Sequence, residues 1–460
     1  MMRGVADKTD ARAIVLERTV ILSGGVLGGL ANGISTSLGF FVKPITDDLG
    51  FGRQVLGLAT GIAFFLNGFS SIGWGAASDK LGAVRVLIAG VVLEFFSLFV
   101  TSMARQEGMF YFSIGLEGFS TAALSFGVIL GAVAKLVAPA RRAHALGFTS
   151  SAFSTGMVVL PLIVSTLISA HGWSYALRQL AFASLLMIPF AAAFGVAGHV
   201  LRAHHRQAAT AAIDDQAGTP SKRPDENSSS LRDALRLAAD TRSFKLLVIG
   251  FSVCGFQVFF IHVHLPAYID DCGLPRWVGA AAMSLIGVGN VIGTLISGHL
   301  AAKFADHKNR VLSAIYFSRS ILFTITLLVP ASSTWILIFS FILGVLMIAT
   351  SPLTTALVDS MFGPEFGSTL MSIVFAGHQT GAFFGAFMGG KIYDHYGSYD
   401  PMWLMCIVLG IFAAADHWTI SGTPVPVKQQ HQRADGNAMR PAIAPSASPE
   451  TLELVVTSHV

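Results

Sequence analysis

Charge is scarce in this sequence: Asp, Glu, Lys and Arg make up 12% of its 460 residues, against about a quarter in an ordinary soluble domain. With 53% hydrophobic residues and a mean hydropathy of +0.64, the chain carries more apolar surface than a water-soluble globule can hide. Cysteine is scarce as well. Cys254, Cys272 and Cys406 have neither metal-ligand spacing nor an even disulfide framework, so they read as packing residues. There is no G-x-x-x-x-G-K-[ST] phosphate loop, which argues against ATP-driven pumping. No cleavable leader stands out, since Thr19–Val42 is too long for a signal-peptide core and lacks a small-residue cleavage site after it. The formal charge of +4 is small and its lysines and arginines fall between apolar runs, a pattern that speaks for membrane orientation and against nucleic-acid binding.

What the chain does have is long apolar runs, and they predict an all-α membrane protein of twelve transmembrane helices. The expected spans are 19–42, 54–77, 84–104, 108–137, 144–169, 174–200, 245–268, 277–302, 311–330, 333–362, 366–390 and 398–420. Lys and Arg sort by side. Arg3, Lys8, Arg12, Arg18, Lys80, Arg85, Lys135, Arg141, Arg142, the basic residues of 202–245, Lys303, Lys308, Arg310, Lys428, Arg433 and Arg440 share one face. Lys43, Arg53, Arg105, Arg178, Arg276 and Lys391 take the other. Positive residues favour the cytoplasmic side, so both termini are expected in the cytoplasm, and the expected location is the plasma membrane, a bacterial inner membrane. The reading divides the chain into a cytoplasmic segment 1–18, a six-helix half 19–201, a linker 202–244 with an interfacial helix at Leu231–Ala239, a second half 245–420 and a disordered tail 421–460.

Between the second and third spans lies Gly75-Ala-Ala-Ser-Asp79-Lys80-Leu-Gly82-Ala-Val-Arg85. Its pattern, G-x-x-x-D-K-x-G-x-x-R, resembles the signature between helices 2 and 3 of the major facilitator superfamily. The resemblance implies two pseudo-symmetric six-helix halves and a gate latch formed by Gly75, Asp79, Lys80, Gly82 and Arg85. Gly298-His-Leu-Ala-Ala302-Lys303 echoes it after helix 8 without the acid, so the latch is expected to be stronger in the N-terminal half. Further stretches resemble the monocarboxylate-transporter-like branch, including bacterial oxalate and formate porters. They are Gly39-Phe-Phe-Val-Lys43-Pro44, Leu49-Gly-Phe-Gly-Arg53, Arg141-Arg142-Ala-His-Ala-Leu-Gly147, His264-Leu-Pro266-Ala-Tyr268, His378-Gln379-x-Gly381 and Asp394-His-Tyr-Gly397-Ser-Tyr399. The sequence departs from that branch in helix 8, where an arginine holds the substrate carboxylate in characterised carriers and this chain offers only Asn290.

An ionisable side chain at membrane depth is costly unless it is paired or faces water, so each one is a functional candidate. Glu94, Glu117, Arg319 and His378 fall near mid-span. Ser113, Glu117, Ser120 and Thr121 share a face of helix 4, and Glu117 is the expected proton-coupling carboxylate and a substrate contact. Glu94 and Arg319 lie on helices 3 and 9, which are scaffold helices in the resembled fold. Each is read as structural or anion-pairing. His262 and His264 sit ~200° apart on a helix and cannot share one ligand face, so no metal site is expected. Asn32, Gln257, His264, Asn290 and His378 complete the expected substrate-binding set at the interface of the halves. The function expected is secondary active transport of a small organic solute, a monocarboxylate or related anion, by alternating access with proton coupling. No cofactor is expected, and the partners are the solute, protons and the lipid bilayer around a monomer. The alternatives are an exporter of drugs or metabolites and a non-transporting membrane sensor. No nucleophile–base pair or metal set supports an enzyme.

Overall fold

The computed structural model describes residues 2–215, 231–363 and 367–424. Among the described residues, twelve helices are long and apolar enough to cross a membrane. They are α1 (Arg12–Leu49), α2 (Arg53–Leu81), α3 (Ala83–Met103), α4 (Glu107–Leu136), α5 (His144–His171), α6 (Trp173–Ala203), α7 (Arg242–Asp271), α8 (Arg276–Lys303), α9 (Lys308–Leu328), α10 (Ser333–Phe362), α11 (Thr369–Tyr396) and α12 (Asp400–Thr419). There is no strand among the described residues. The chain is an all-α, multi-pass membrane protein of two six-helix halves. A further helix spans Leu231–Asp240, between the halves in sequence. The polar linker residues 216–230 and most of the expected tail, 425–460, lie outside the described residues.

Several helices outrun their apolar stretches because their charges find partners. α1 was expected to end at 42, but it passes through a 3-10 turn, Leu38–Phe41, and continues over Val42–Leu49. Lys43 is tolerated there by Asp47 one turn on (3.2 Å) and by Asp271 (3.5 Å). α2 stays helical through Asp79 and Lys80 and stops at Gly82, whose φ of 90° suits a residue without a side chain.

Each half has its own apolar core, one around Leu27, Leu87, Val91 and Phe194, the other around Leu247, Met283, Tyr316 and Trp403. The membrane offers no hydrophobic drive between spans, so close approach at small residues supplies the packing. α11 lays Gly381, Gly385 and Gly389 against α7, where added Cβ atoms would strike the Ser252 and Phe256 carbonyls and the His264 ring. Gly381→Val should therefore cost about 1–3 kcal/mol or more, the usual range for overpacking. A lowered Tm of the purified protein in detergent checks this, and an unchanged Tm would mean that α7 and α11 separate freely.

The halves mirror each other with opposite charges. α3 and α9 are both 21 residues long, and Glu94 and Arg319 each stand eleven residues in (83 to 94, 308 to 319). Each leans on a neighbour that breaks near mid-depth. α4 is interrupted between Ala123 and Phe126, after Ser120 and Thr121 turn their hydroxyls back onto the Glu117 carbonyl (2.8 and 2.9 Å), a bond that bends helices. α10 is interrupted at Ala349, where Pro352 has no N–H to offer the Ile348 carbonyl.

Candidate functional site

In the N-terminal half the break in α4 sits beside two buried acids. Glu94 is fully buried and Glu117 is 2% exposed. The Ser120 hydroxyl donates to Glu94 Oε2, and Ser35 of α1 lies near the Glu117 carboxyl. The other oxygen of each carboxyl, Oε1, has no partner. Ser113, Ser120 and Thr121 are buried on the same face of α4, and Ser97 of α3 donates to the Ser113 carbonyl (2.8 Å).

The mirror position holds a saturated cation. Arg319 is fully buried; its Nη2 donates to the carbonyls of Leu346 and Met347 (both 2.6 Å), the two left loose by the α10 break. Nη1 reaches Cys254 Sγ (3.3 Å) and Gln257 Oε1 (3.4 Å), and Nε alone lacks a partner. Neutral dipoles hold this charge, so it braces α9 against α10. Gln257 is committed further, donating to the Cys406 carbonyl (2.9 Å).

A file of side-chain amides joins the halves at mid-depth. Asn67 of α2 donates to Thr121 (3.2 Å), Gln379 of α11 donates to Asn67 (3.1 Å), and His378 Nδ1 pairs with Gln379 Oε1 (3.1 Å). The His378 ring is packed among Phe251, Phe259 and Phe375. On the other side of the interface, Asn290 sends Nδ2 toward Met157 of α5 and leaves Oδ1 unpartnered. Asn32 donates within its own half, to the Phe153 carbonyl (3.0 Å). The expected substrate set thus falls into separate neighbourhoods: Glu117 and Asn32 in one half, Gln257 and His378 in the other, Asn290 on the seam. His264 lies elsewhere. Sequence reading passed over His262, whose two ring nitrogens are buried and unpartnered, because its spacing from His264 raised only the question of a metal.

His264 belongs to a polar cluster at the end of the bundle away from the termini. Its Nε2 donates to the Ala386 carbonyl (2.8 Å), so Nδ1 accepts from the Tyr399 hydroxyl (3.1 Å). Tyr399 in turn accepts from Arg53 Nη1 (2.9 Å). Arg53, only 5% exposed, makes a two-pronged bond to Asp271 (2.5 and 2.7 Å) and lies 3.6 Å from the centre of the Tyr393 ring. The Asp394 carboxylate accepts the N–H groups of Arg53 and Gln54 (both 2.8 Å), capping the first turn of α2 where the helix dipole favours an anion. Arg53 and Lys43 come from the first half, Asp271, Asp394 and Tyr399 from the second. Backbone contact continues inward, with Gly57 against the Ala386 carbonyl and Gly61 against that of Phe383.

The residues expected to form a latch sit at the opposite end. Asp79 pairs with Lys135 of α4 (2.5 Å), within the same half, and Arg85 Nη1 bonds the Leu81 carbonyl (3.3 Å). Gly75, Asp79, Gly82, Lys135 and Arg202 line a cavity of about 280 Å³.

Several known proteins are similar to this chain in sequence. Monocarboxylate transporter 11 of Mus musculus is 25% identical over 276 residues, 60% of this chain and 57% of that protein. The aspyridones efflux protein apdF of Emericella nidulans is 23% identical over 345 residues, 73% of this chain and 63% of that protein. The chain therefore spans about three fifths of the length of these two. Monocarboxylate transporter 13 of Rattus norvegicus is 23% identical over 397 residues, 86% of both chains. The family model for the Major Facilitator Superfamily matches residues 25–386 and 309–448, taking in both six-helix halves and the seam between them. The chain belongs to the Major Facilitator Superfamily.

Proposed function

We propose that this transporter moves a small organic solute, a monocarboxylate or related organic anion, together with a proton by alternating access. Glu117 carries the reading: a carboxyl at mid-depth, 2% exposed, with one oxygen unpartnered beside the seam between the halves. A buried carboxyl of that kind accepts and yields a proton as water reaches it from one side or the other. Asn290, His262 and His378, which face the seam, are the neutral donors and acceptors for the solute. The similarity to two monocarboxylate transporters supports the solute class. The distribution of Lys and Arg supports both termini in the cytoplasm, and the proposed location is the plasma membrane, a bacterial inner membrane. With that orientation, the Arg53 cluster closes the outer end and the protein faces inward. The Asp79 loop then lies on the cytoplasmic side, free to latch in the other state.

The first test is uptake of radiolabelled small carboxylates by proteoliposomes, with and without an inward-acid pH gradient. Uptake of one acid that rises with the gradient supports the reading. Silence across the panel, with extrusion of larger aromatic solutes, would favour the exporter reading that the aspyridones efflux relative supports. Asp79→Ala should slow turnover several-fold and leave the half-saturating concentration near its starting value, because the exposed Asp79–Lys135 pair adds little to stability. A loss confined to affinity would contradict a gate role for this loop.

A further inference from the structure

We propose that Glu94 and Glu117 form one proton-binding site, in which the two carboxyls share a proton and Ser120 and Ser35 hold them in place. The proposal rests on the proton coupling proposed above and moves Glu94 from the scaffold into the coupling site.

The chain supplies its own standard for a structural carboxylate. Glu17 bonds the Ala138 N–H with one oxygen and Arg141 with the other. Asp394 gives one oxygen to the Arg53 N–H and one to that of Gln54. Both oxygens of Asp271 are held by Arg53. These three carboxylates have both oxygens occupied. Glu94, whose Oε2 alone is occupied, and Glu117, the most deeply placed acids of the first half, each bury Oε1 without a partner.

The mirror position sharpens the contrast. Arg319 has both terminal nitrogens bonded, to carbonyls, a thiol and an amide, and leaves only Nε without a partner. Glu94 leans on the α4 break in the corresponding way but ends in an open oxygen. The polar groups on the elements around the two acids are Ser35 of α1, Asn67 of α2, Ser97 of α3 and Ser113, Ser120 and Thr121 of α4, of which Ser120 bonds Glu94, while α6 packs Phe182 against Phe95 and Phe99. Among the described residues, no lysine, arginine or histidine hydrogen-bonds or ion-pairs with either carboxyl, and each keeps an open Oε1. Two neighbouring anions out of reach of water and of any cation are not a stable arrangement; a proton between them makes it one, and gives each open oxygen a partner. Glu117 touches half-buried Ser35 beside the seam, so it is the member that meets water, and Glu94 is the reserve behind it.

The test is infrared difference spectroscopy of the purified full-length protein across a pH titration, with no solute added. Wild type should show a protonated-carboxyl C=O band that moves in D2O and titrates. Glu94→Gln and Glu117→Gln should each displace that band, and the double variant should lack it. Should Glu94→Gln fold poorly, Ser120→Ala keeps both acids and removes the donor to Glu94, and it should also displace the band. A band unmoved by the change at Glu94 or Ser120, or retained in the double variant, overturns the proposal. Because no solute is present, failure here is distinguishable from failure of the carboxylate panel: a shared band with a silent panel removes the solute class and keeps the proton site.

Discussion

Arg53→Met should move the conformational balance of this transporter roughly a hundredfold toward states whose outer end is open, the largest shift expected from any single change at the seam. Breaking a buried ion pair by deleting one partner costs about 3–5 kcal/mol, because the remaining charge is left unpaired. Arg53 is 5% exposed and the Asp271 side chain 21%, so the lower end, about 3 kcal/mol, applies. Methionine keeps the volume and forfeits the two-pronged bond, the bond to Tyr399 and the stacking on Tyr393. Spin labels at position 49 and at Cys272, on opposite halves at this end, report the change. A single short distance in the parent should become a broad or bimodal distribution in the variant. Arg53→Lys should fall between, since an ammonium cannot fork onto both carboxylate oxygens. An unchanged distribution in Arg53→Met would mean that the cluster only caps α2 and does not clamp the halves.

The order and number of the spans were legible because each is a run of apolar residues between charges, and that pattern survives any detail of packing. The ends were less legible. Lys43, Asp79 and Lys80 look like stops in a hydropathy reading, yet Lys43 finds Asp47 a turn on, Asp79 finds Lys135 of α4, and exposed Lys80 keeps to water, so all three stay helical. Thr350-Ser351-Pro352 announced the α10 break, since a proline cannot donate. The α4 break has no such residue; it comes from two hydroxyls folding back on one carbonyl, and a Ser-Thr pair is too common to single out. Glu117 and its serine stripe could be read from spacing alone because every member lies on one helix. The Arg53 cluster could not, since Asp271 is 218 residues away and each member looks like an ordinary charge at the end of a span. One signal was available: Lys43 and Arg53 are among the few basic residues at the end of the bundle poor in Lys and Arg, and the motifs that contain Arg53, His264 and Tyr399 all fall at that end. Arg319 shows a further limit. A buried cation invites an anion, and what decided otherwise was the pair of carbonyls released by the break beside it, which no linear spacing displays.

Glu117→Gln should abolish proton-driven accumulation and spare exchange. For one proton per solute, each unit of pH gradient is worth about 1.4 kcal/mol and supports roughly tenfold accumulation, so a two-unit inward-acid gradient should concentrate solute about a hundredfold in wild type. Gln keeps the size of Glu and an oxygen for the Ser35 hydroxyl, but it cannot carry the proton across. The accumulation ratio should therefore fall to about one at any imposed gradient. Counterflow, in which internal unlabelled solute draws in labelled solute, needs the halves to rock with solute bound and no net proton movement, so it should persist in the variant at a comparable rate. The two assays separate the possible roles. Loss of both would make Glu117 a structural support for the α4 break, and retention of gradient-driven accumulation would remove it from coupling. Loss of accumulation with counterflow intact is the outcome that only a proton carrier gives.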